Sequence, residues 1–106
     1  IRKEAIENAT KYATEIPFKV METAYNSMEV MMIMAKKGIQ NSLSDAGVGA
    51  LCARTAVVGA YFNVRINAKD IKDRAFAEEI LFKAKEIYNK TNSLENVMIQ
   101  LIDSKI

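Results

Sequence analysis

The sequence predicts an all-α fold of long antiparallel helices forming part of an up-and-down bundle, and three observations carry that prediction. Four glycines and one proline in 106 residues leave few places to break a helix. Apolar residues recur at spacings of three and four along most of the chain. Only two short stretches, one at Gly38 and one at Ala68, Lys69 and Asp70, read as connections, which leaves three long segments.

The first helix is expected from about Ile1 to Lys37. Ile6, Ala9, Ala13, Ile16, Val20 and Ala24 share one face. The register passes through Pro17 in phase. A proline inside a helix removes one hydrogen bond, so a kink or short break is expected between Glu15 and Pro17. Lys36 and Lys37 place cations in the last turn, and Gly38 reads as the C-cap.

The second helix is expected from Ser42 or Ser44 to Asn67. Ser44 before Asp45 is a good N-cap sequence, and a carboxylate in a first turn suits the helix dipole. Val48, Leu51, Val57, Val58, Phe62, Val64 and Ile66 distribute apolar side chains all round, the signature of a buried helix. Gly47, Gly49 and Gly59 lie in the same segment. Glycine costs about 1 kcal/mol against alanine inside a helix, so close approach by another helix or a ligand is the expected reason.

The third helix is expected from about Ile71 to Ser104. Ile80, Ala84, Ile87, Thr91, Leu94, Met98 and Leu101 alternate spacings of four and three, and this seam crosses the polar stretch Asn89 to Ser93 without losing phase. One helix is therefore expected, antiparallel to the second across a short turn.

Composition excludes several function classes. Fifteen basic against thirteen acidic residues leave a net charge of +2, too small for the basic stripe of a nucleic-acid binder. One cysteine and no histidine exclude a disulfide framework, a classical zinc site and any histidine-based dyad. No metal is expected. The apolar runs Val30 to Ala35 and Ala46 to Ala53 are each too short to cross a bilayer, so no membrane partner is expected. The start has no signal-peptide pattern, and a cytoplasmic protein of a reducing compartment is the expectation.

The second segment carries the polar residues of interest. Asp45 and Asn63 are eighteen residues apart, five full turns of an unbroken helix, and so lie on one face. Asn67 lies about 40° from that line. Gly49, Cys52, Ala56 and Gly59 fall between them, with Arg54 and Arg65 on the opposite side. Asp45 reads either as a dipole partner or as a ligand-binding or catalytic carboxylate. Asn63 and Asn67 read either as inter-helix hydrogen bonders or as ligand contacts. The small-residue stripe reads as helix packing, and Cys52 as a small core residue. Met21, Met28, Met31, Met32 and Met34 read as core or as an oligomer face.

The stretch from Gly38 to Asp73 resembles the cyclodeaminase/cyclohydrolase family of folate enzymes. Gly38, Asn41, Ser44 and Asp45 match the family's glycine, Asn-x-Asn and Ser/Thr-Asp; Gly59, Ala60, Asn63, Val64, Ile66 and Asn67 match its G-A-x-x-N-V-x-I-N; Asp70 and Asp73 match its acidic turn. Ile39 departs from the pattern where many members have the first Asn. The family's N-terminal half, with its Pro-Gly-Gly-Gly stretch and an acidic residue thought to be catalytic, has no counterpart. Residues 1–106, opening on Ile1, are thus expected to be the C-terminal half of a longer domain.

The resemblance implies an all-α bundle, usually a homodimer, with a tetrahydrofolate derivative as substrate and no prosthetic group. It implies conversion of 5-formiminotetrahydrofolate to 5,10-methenyltetrahydrofolate and ammonia, or the related hydrolysis of the methenyl compound. Asp45 is the catalytic candidate, Asn41, Asn63 and Asn67 are the substrate-binding candidates, and Ser44 is the expected cap. A non-catalytic helical dimerisation module is the reading from another class.

Overall fold

A computed structural model describes residues 1–38 and 40–106. Three helices make up almost all of it: α1 over Arg2–Lys37, α2 over Gln40–Ala68 and α3 over Arg74–Lys105. They form a rod of 59 × 17 × 16 Å in which each helix packs against the other two. The described residues contain no strand. The expected fold class is observed.

The core runs along one stripe of each helix. At its centre Met21, Val57, Ala60, Val64 and Ala84 pack with Phe18, Ala24, Tyr61, Leu81, Ile87 and Tyr88 around them. Tyr61 stacks on Tyr88 with centroids 4.8 Å apart. Ala35, Leu43, Ala46 and Ile102 close one end, and Ala68, Ile71 and Ala77 the other. Thr14 and Thr91 are the polar residues fully buried here. Each hydroxyl donates to the carbonyl four residues earlier, Thr10 at 2.8 Å and Ile87 at 2.7 Å, so neither is left unsatisfied.

The seam expected for α3 is the one buried: Ile80, Ala84, Thr91 and Met98 face the core. The helix starts at Arg74, three residues later than expected, because Ile71 is held in the turn and buried there. Asp73 caps α3, its carboxylate accepting the Phe76 N–H at 3.2 Å.

The face expected for α1 is not its core face. Thr14, Met21, Met28 and Ala35 are buried, at a spacing of seven, while Ile6, Ala9, Ala13, Ile16 and Val20 are exposed. Nor does α1 break at Pro17. A proline has no N–H to give the carbonyl four residues back, here that of Ala13. The Asn67 side-chain amide donates to that oxygen at 3.0 Å.

The α2 helix begins at Gln40, so Ser44 lies inside the helix and is not its cap. Leu43 explains the earlier start: it is buried against Ala35, Ala46 and Ile102, which draws the residues before Ser44 into the helix. Only one side of α2 is covered. Leu43, Ala46, Ala50, Ala53, Val57, Ala60, Val64 and Ala68 are buried; Val48, Leu51, Phe62 and Ile66 are exposed. Taken whole, α2 is long and apolar enough to cross a membrane, although each apolar run in it is short. Its packing on α1 and α3, with Asp45, Arg54 and Arg65 along its length, is the pattern of a bundle's central helix.

Candidate functional site

The polar face of α2 consists of two pairs. Asn41 and Asp45 are one turn apart near the start of the helix; Asn63 and Asn67 are one turn apart near its end. At 1.5 Å per residue the eighteen residues from Asp45 to Asn63 span about 27 Å. One ring system cannot reach both pairs. The single polar groove expected from the sequence is therefore two patches on one face, joined by Gly49, Cys52, Ala56 and Gly59.

Asn41, Ser44, Asp45 and Asn63 are exposed, and among the described residues none of their side chains has a hydrogen-bond or ion-pair partner. Asn67 differs. It is half-buried and committed to Ala13. Ile39, the departure from the Asn-x-Asn pattern, lies outside the described residues.

Two contacts fix how this face is framed. Asn67 meets Ala13, and a Cβ on Gly49 would come within 2.9 Å of the Met31 sulfur. Since α1 and α2 are antiparallel, Ile16 and Val20 run alongside Asn63 to Gly59. On the other flank a Cβ on Gly47 would lie 3.1 Å from Ile102 of α3. The Asp45–Asn63 face thus looks away from α3, beside the exposed stripe of α1. Among the described residues nothing lies within 4 Å of a Cβ built on Gly59, so helix packing within them does not account for that glycine.

Cys52 is exposed on this face rather than buried in the core. Met21 and Met28 are fully buried, whereas Met34 is exposed. Arg54, on the flank toward α3, lies 3.5 Å from the Glu95 carboxylate, and Arg65 lies over the Tyr61 ring.

A second polar cluster, which sequence patterning missed, secures the α2–α3 turn. The Glu7 carboxylate accepts the backbone N–H groups of Lys72 at 2.9 Å and Asp73 at 2.8 Å. Those two bonds hold the Glu7 carboxyl below its ordinary pKa. Lys11 bonds Asp73 at 3.0 Å, and that bond with the Phe76 N–H lowers the Asp73 pKa. Arg74 donates to the carbonyls of Ala68 and Ile71. The sequence signals were Glu7 and Lys11 one turn apart and Asp73 in the acidic turn; the partners of Glu7 and Lys11 lie more than sixty residues away. Asp73 of the acidic turn is thus an N-cap and ion-pair partner.

The architecture is that of an all-α helical bundle whose second helix carries an exposed carboxylate and amide face. Over residues 1–86 the sequence matches the family model described as Formiminotransferase-cyclodeaminase. The chain belongs to that family. It is 34% identical over 105 residues to a methenyltetrahydrofolate cyclohydrolase of Methylorubrum extorquens, covering 99% of this chain and 50% of the relative. It is 36% identical over 105 residues to a formimidoyltransferase-cyclodeaminase of Dictyostelium discoideum, covering 98% of this chain and 20% of that protein. The corresponding rat protein is 28% identical over 101 residues, covering 95% and 19%. The chain spans at most about half the length of these relatives.

Proposed function

We propose that these residues are the C-terminal half of a folate one-carbon enzyme, a formiminotetrahydrofolate cyclodeaminase. The observation that carries the reading is Asp45: an exposed carboxylate without a partner among the described residues, one helical turn from Asn41, in a segment within the family match. A carboxylate with no structural task is available for proton transfer. In the reaction N10 of the substrate adds to the formimino carbon and loses its proton. The former imino nitrogen then departs as ammonia, having gained protons. The carbon is left bridging N5 and N10 as the methenyl cation, and one proton is taken up overall.

In this reading Asp45 moves the proton, and Asn41 presents an amide to the donor–acceptor edge of the pterin. Asn63 lines the face further along, and Asn67 supports it by holding α1 in place. No prosthetic group takes part. The protein acts as a cytoplasmic homodimer.

The alternative, a methenyltetrahydrofolate cyclohydrolase, is favoured by the relative so named, half of whose length this chain matches almost from end to end. A non-catalytic dimerisation module is favoured by the short span relative to the family. One assay separates all three. The protein, as the 106-residue chain and as its full reading frame, is given 5-formiminotetrahydrofolate and, separately, methenyltetrahydrofolate. Methenyl absorbance rising together with ammonia supports the cyclodeaminase. Loss of methenyl absorbance faster than spontaneous hydrolysis supports the cyclohydrolase. No turnover by either form leaves the module.

A further inference from the structure

We propose that the seam between α2 and α3 at Arg54, Asn92 and Glu95 is a binding site for an α-amino acid with a small aliphatic side chain. The site is separate from the Asp45–Asn63 face. Arg54 is nine residues from each of those two, two and a half turns, and so lies on the opposite side of α2. Asn92 and Glu95 lie beyond residue 86, where the family match ends. The proposal therefore does not rest on the folate reading.

Asn89, Thr91, Asn92 and Ser93 put weak helix formers into the middle of a 32-residue helix. Thr91 is accounted for by its bond to the Ile87 carbonyl in the core. Asn92 is not. Its Oδ1 is buried and has no donor among the described residues. The other buried side-chain polar atom without a partner among them is Nε of Arg54. One is an acceptor and the other a donor, and they belong to neighbouring helices. Glu95, one turn after Asn92, faces Arg54. Its carboxylate stands 3.5 Å from Nε, in ion-pair range but too long for a good hydrogen bond, although the Glu95 side chain is only 16% exposed. Buried polar groups are ordinarily satisfied, so this cluster has bonds left to make.

A cavity of about 140 Å³ continues the cluster along the same seam. Glu95 and Asp103 stand at its two ends, and its walls are otherwise apolar, Leu51, Met98 and Ile99 among them. The two helices are antiparallel, with Ala46 in the cluster of Ile102 and Ala68 in that of Ala77. Arg54 and Asn92 therefore both lie beyond the Glu95 end. At roughly 30 Å³ for each water-sized group the cavity holds about four or five heavy atoms, an aliphatic side chain and not a ring system. The charges of Arg54 and Glu95 cancel, so the matching ligand is neutral overall and carries both charges side by side. Its carboxylate accepts from the guanidinium of Arg54, whose side chain is 41% exposed. Its ammonium donates to the Glu95 carboxylate and to Oδ1 of Asn92. Its side chain enters the cavity, where burial of apolar surface adds to binding.

The test is calorimetric titration, with L-leucine, of the protein made from its full reading frame. The expected result is saturable binding at one site per chain, with a dissociation constant on the order of 1 mM. 4-Methylpentanoate lacks the ammonium and 3-methylbutylamine lacks the carboxylate; each should bind about tenfold or more weakly than L-leucine. L-Tryptophan should also bind about tenfold or more weakly, because its ring does not fit the cavity. Arg54→Lys keeps the charge without the fork, and Glu95→Gln keeps the shape without the charge. Each should weaken L-leucine binding about tenfold or more, whereas Lys85→Met, exposed on α3, should leave it unchanged. Ile99→Phe fills the cavity from a position 42% exposed and should abolish binding with the ion pair intact; it decides the matter if a polar variant fails to fold. Absence of saturable binding up to about ten times the expected constant overturns the proposal. So does equal affinity for the single-charge analogues, or binding that survives the Arg54, Glu95 and Ile99 changes. Folate turnover by the same protein bears on the proposed reaction alone, so the two readings fail separately.

Discussion

The Asn67 side chain donates its hydrogen bond, at 3.0 Å, to the carbonyl oxygen of Ala13, the one that Pro17 deprives of its helical donor. The amide of one helix repairs the backbone of another. This accounts for α1 running unbroken past its proline, and it gives Asn67 a structural task beside any contact with a ligand. Asn67→Ala is expected to destabilise the protein by about 0.5–1.5 kcal/mol, since the Ala13 carbonyl is left without this donor. Pro17→Ala restores the helical N–H, and in that background the cost of Asn67→Ala should fall by about half or more. Urea unfolding of the four proteins measures the coupling. Equal costs in both backgrounds would show that Asn67 does not serve the proline.

The pH dependence of stability should be dominated at its acid end by the turn between α2 and α3. Glu7 and Asp73 both have pKa values lowered in the folded state, from ordinary values of 4.5 and 3.8. A carboxyl with a lowered folded pKa contributes stability that is complete above its unfolded value and is lost as pH falls through the folded one. Thermal midpoints should therefore hold steady down to about pH 5 and then decline as pH falls through 4.5 and below 3.8. Glu7→Gln keeps one acceptor and removes the charge. It should lower the midpoint at neutral pH and flatten the acid decline; an unchanged acid profile would remove Glu7 from this role.

Much of α3 was legible in the sequence. Its seam from Ile80 to Leu101 is its only strongly periodic apolar stripe, and the core takes that stripe. For α1 the periodicity was real and its assignment wrong. Ile6 to Val20 and Thr14 to Ala35 are both periodic, and spacing alone does not say which stripe meets the other two helices. The polar face of α2 was legible as a face, because helix geometry fixes which residues share a side. Its division into two patches follows from the 1.5 Å rise, and the commitment of Asn67 to Ala13 is a contact across 54 residues that no local pattern encodes. The misplaced Ser44 cap has a similar cause. The burial of Leu43 against Ile102, a residue of another helix, outweighs the cap signal.

At the opposite end Lys105 joins the ends of α1 and α3. Its ammonium donates to two carbonyls in the last turn of α1, that of Ala35 at 2.8 Å and that of Lys36 at 3.0 Å; the Ala35 oxygen also accepts the Gly38 N–H at 3.3 Å. Lys105→Met keeps most of the aliphatic stem and removes the donors. It should cost about 0.5–1.5 kcal/mol in urea unfolding and speed amide hydrogen exchange in the last turn of α1. A variant as stable as the parent would assign those carbonyls to water.

Gly59 lies on the exposed side of α2 with room for a side chain. With nothing within 4 Å of an added Cβ, Gly59→Ala should stabilise the 106-residue chain by about 1 kcal/mol through helix propensity. Thermal unfolding of the variant and its parent reads the gain, and a loss of stability would show that the added methyl group meets a neighbour.

Asp45 and Asn63 offer the cleanest separation of function from fold. Both are exposed, and among the described residues neither side chain bonds to another group, so Asp45→Asn and Asn63→Ala should each change stability by no more than about 0.5 kcal/mol. If Asp45 transfers the proton, Asp45→Asn should lower turnover by about 10²–10⁴-fold while the protein still binds folate. Asn63→Ala, about 27 Å away along the helix, should act mainly through substrate affinity. The two predictions differ in kind as well as size, one in kcat and the other in KM. A uniform loss in both parameters from either change, tracking a loss of folded protein, would return both residues to a structural role.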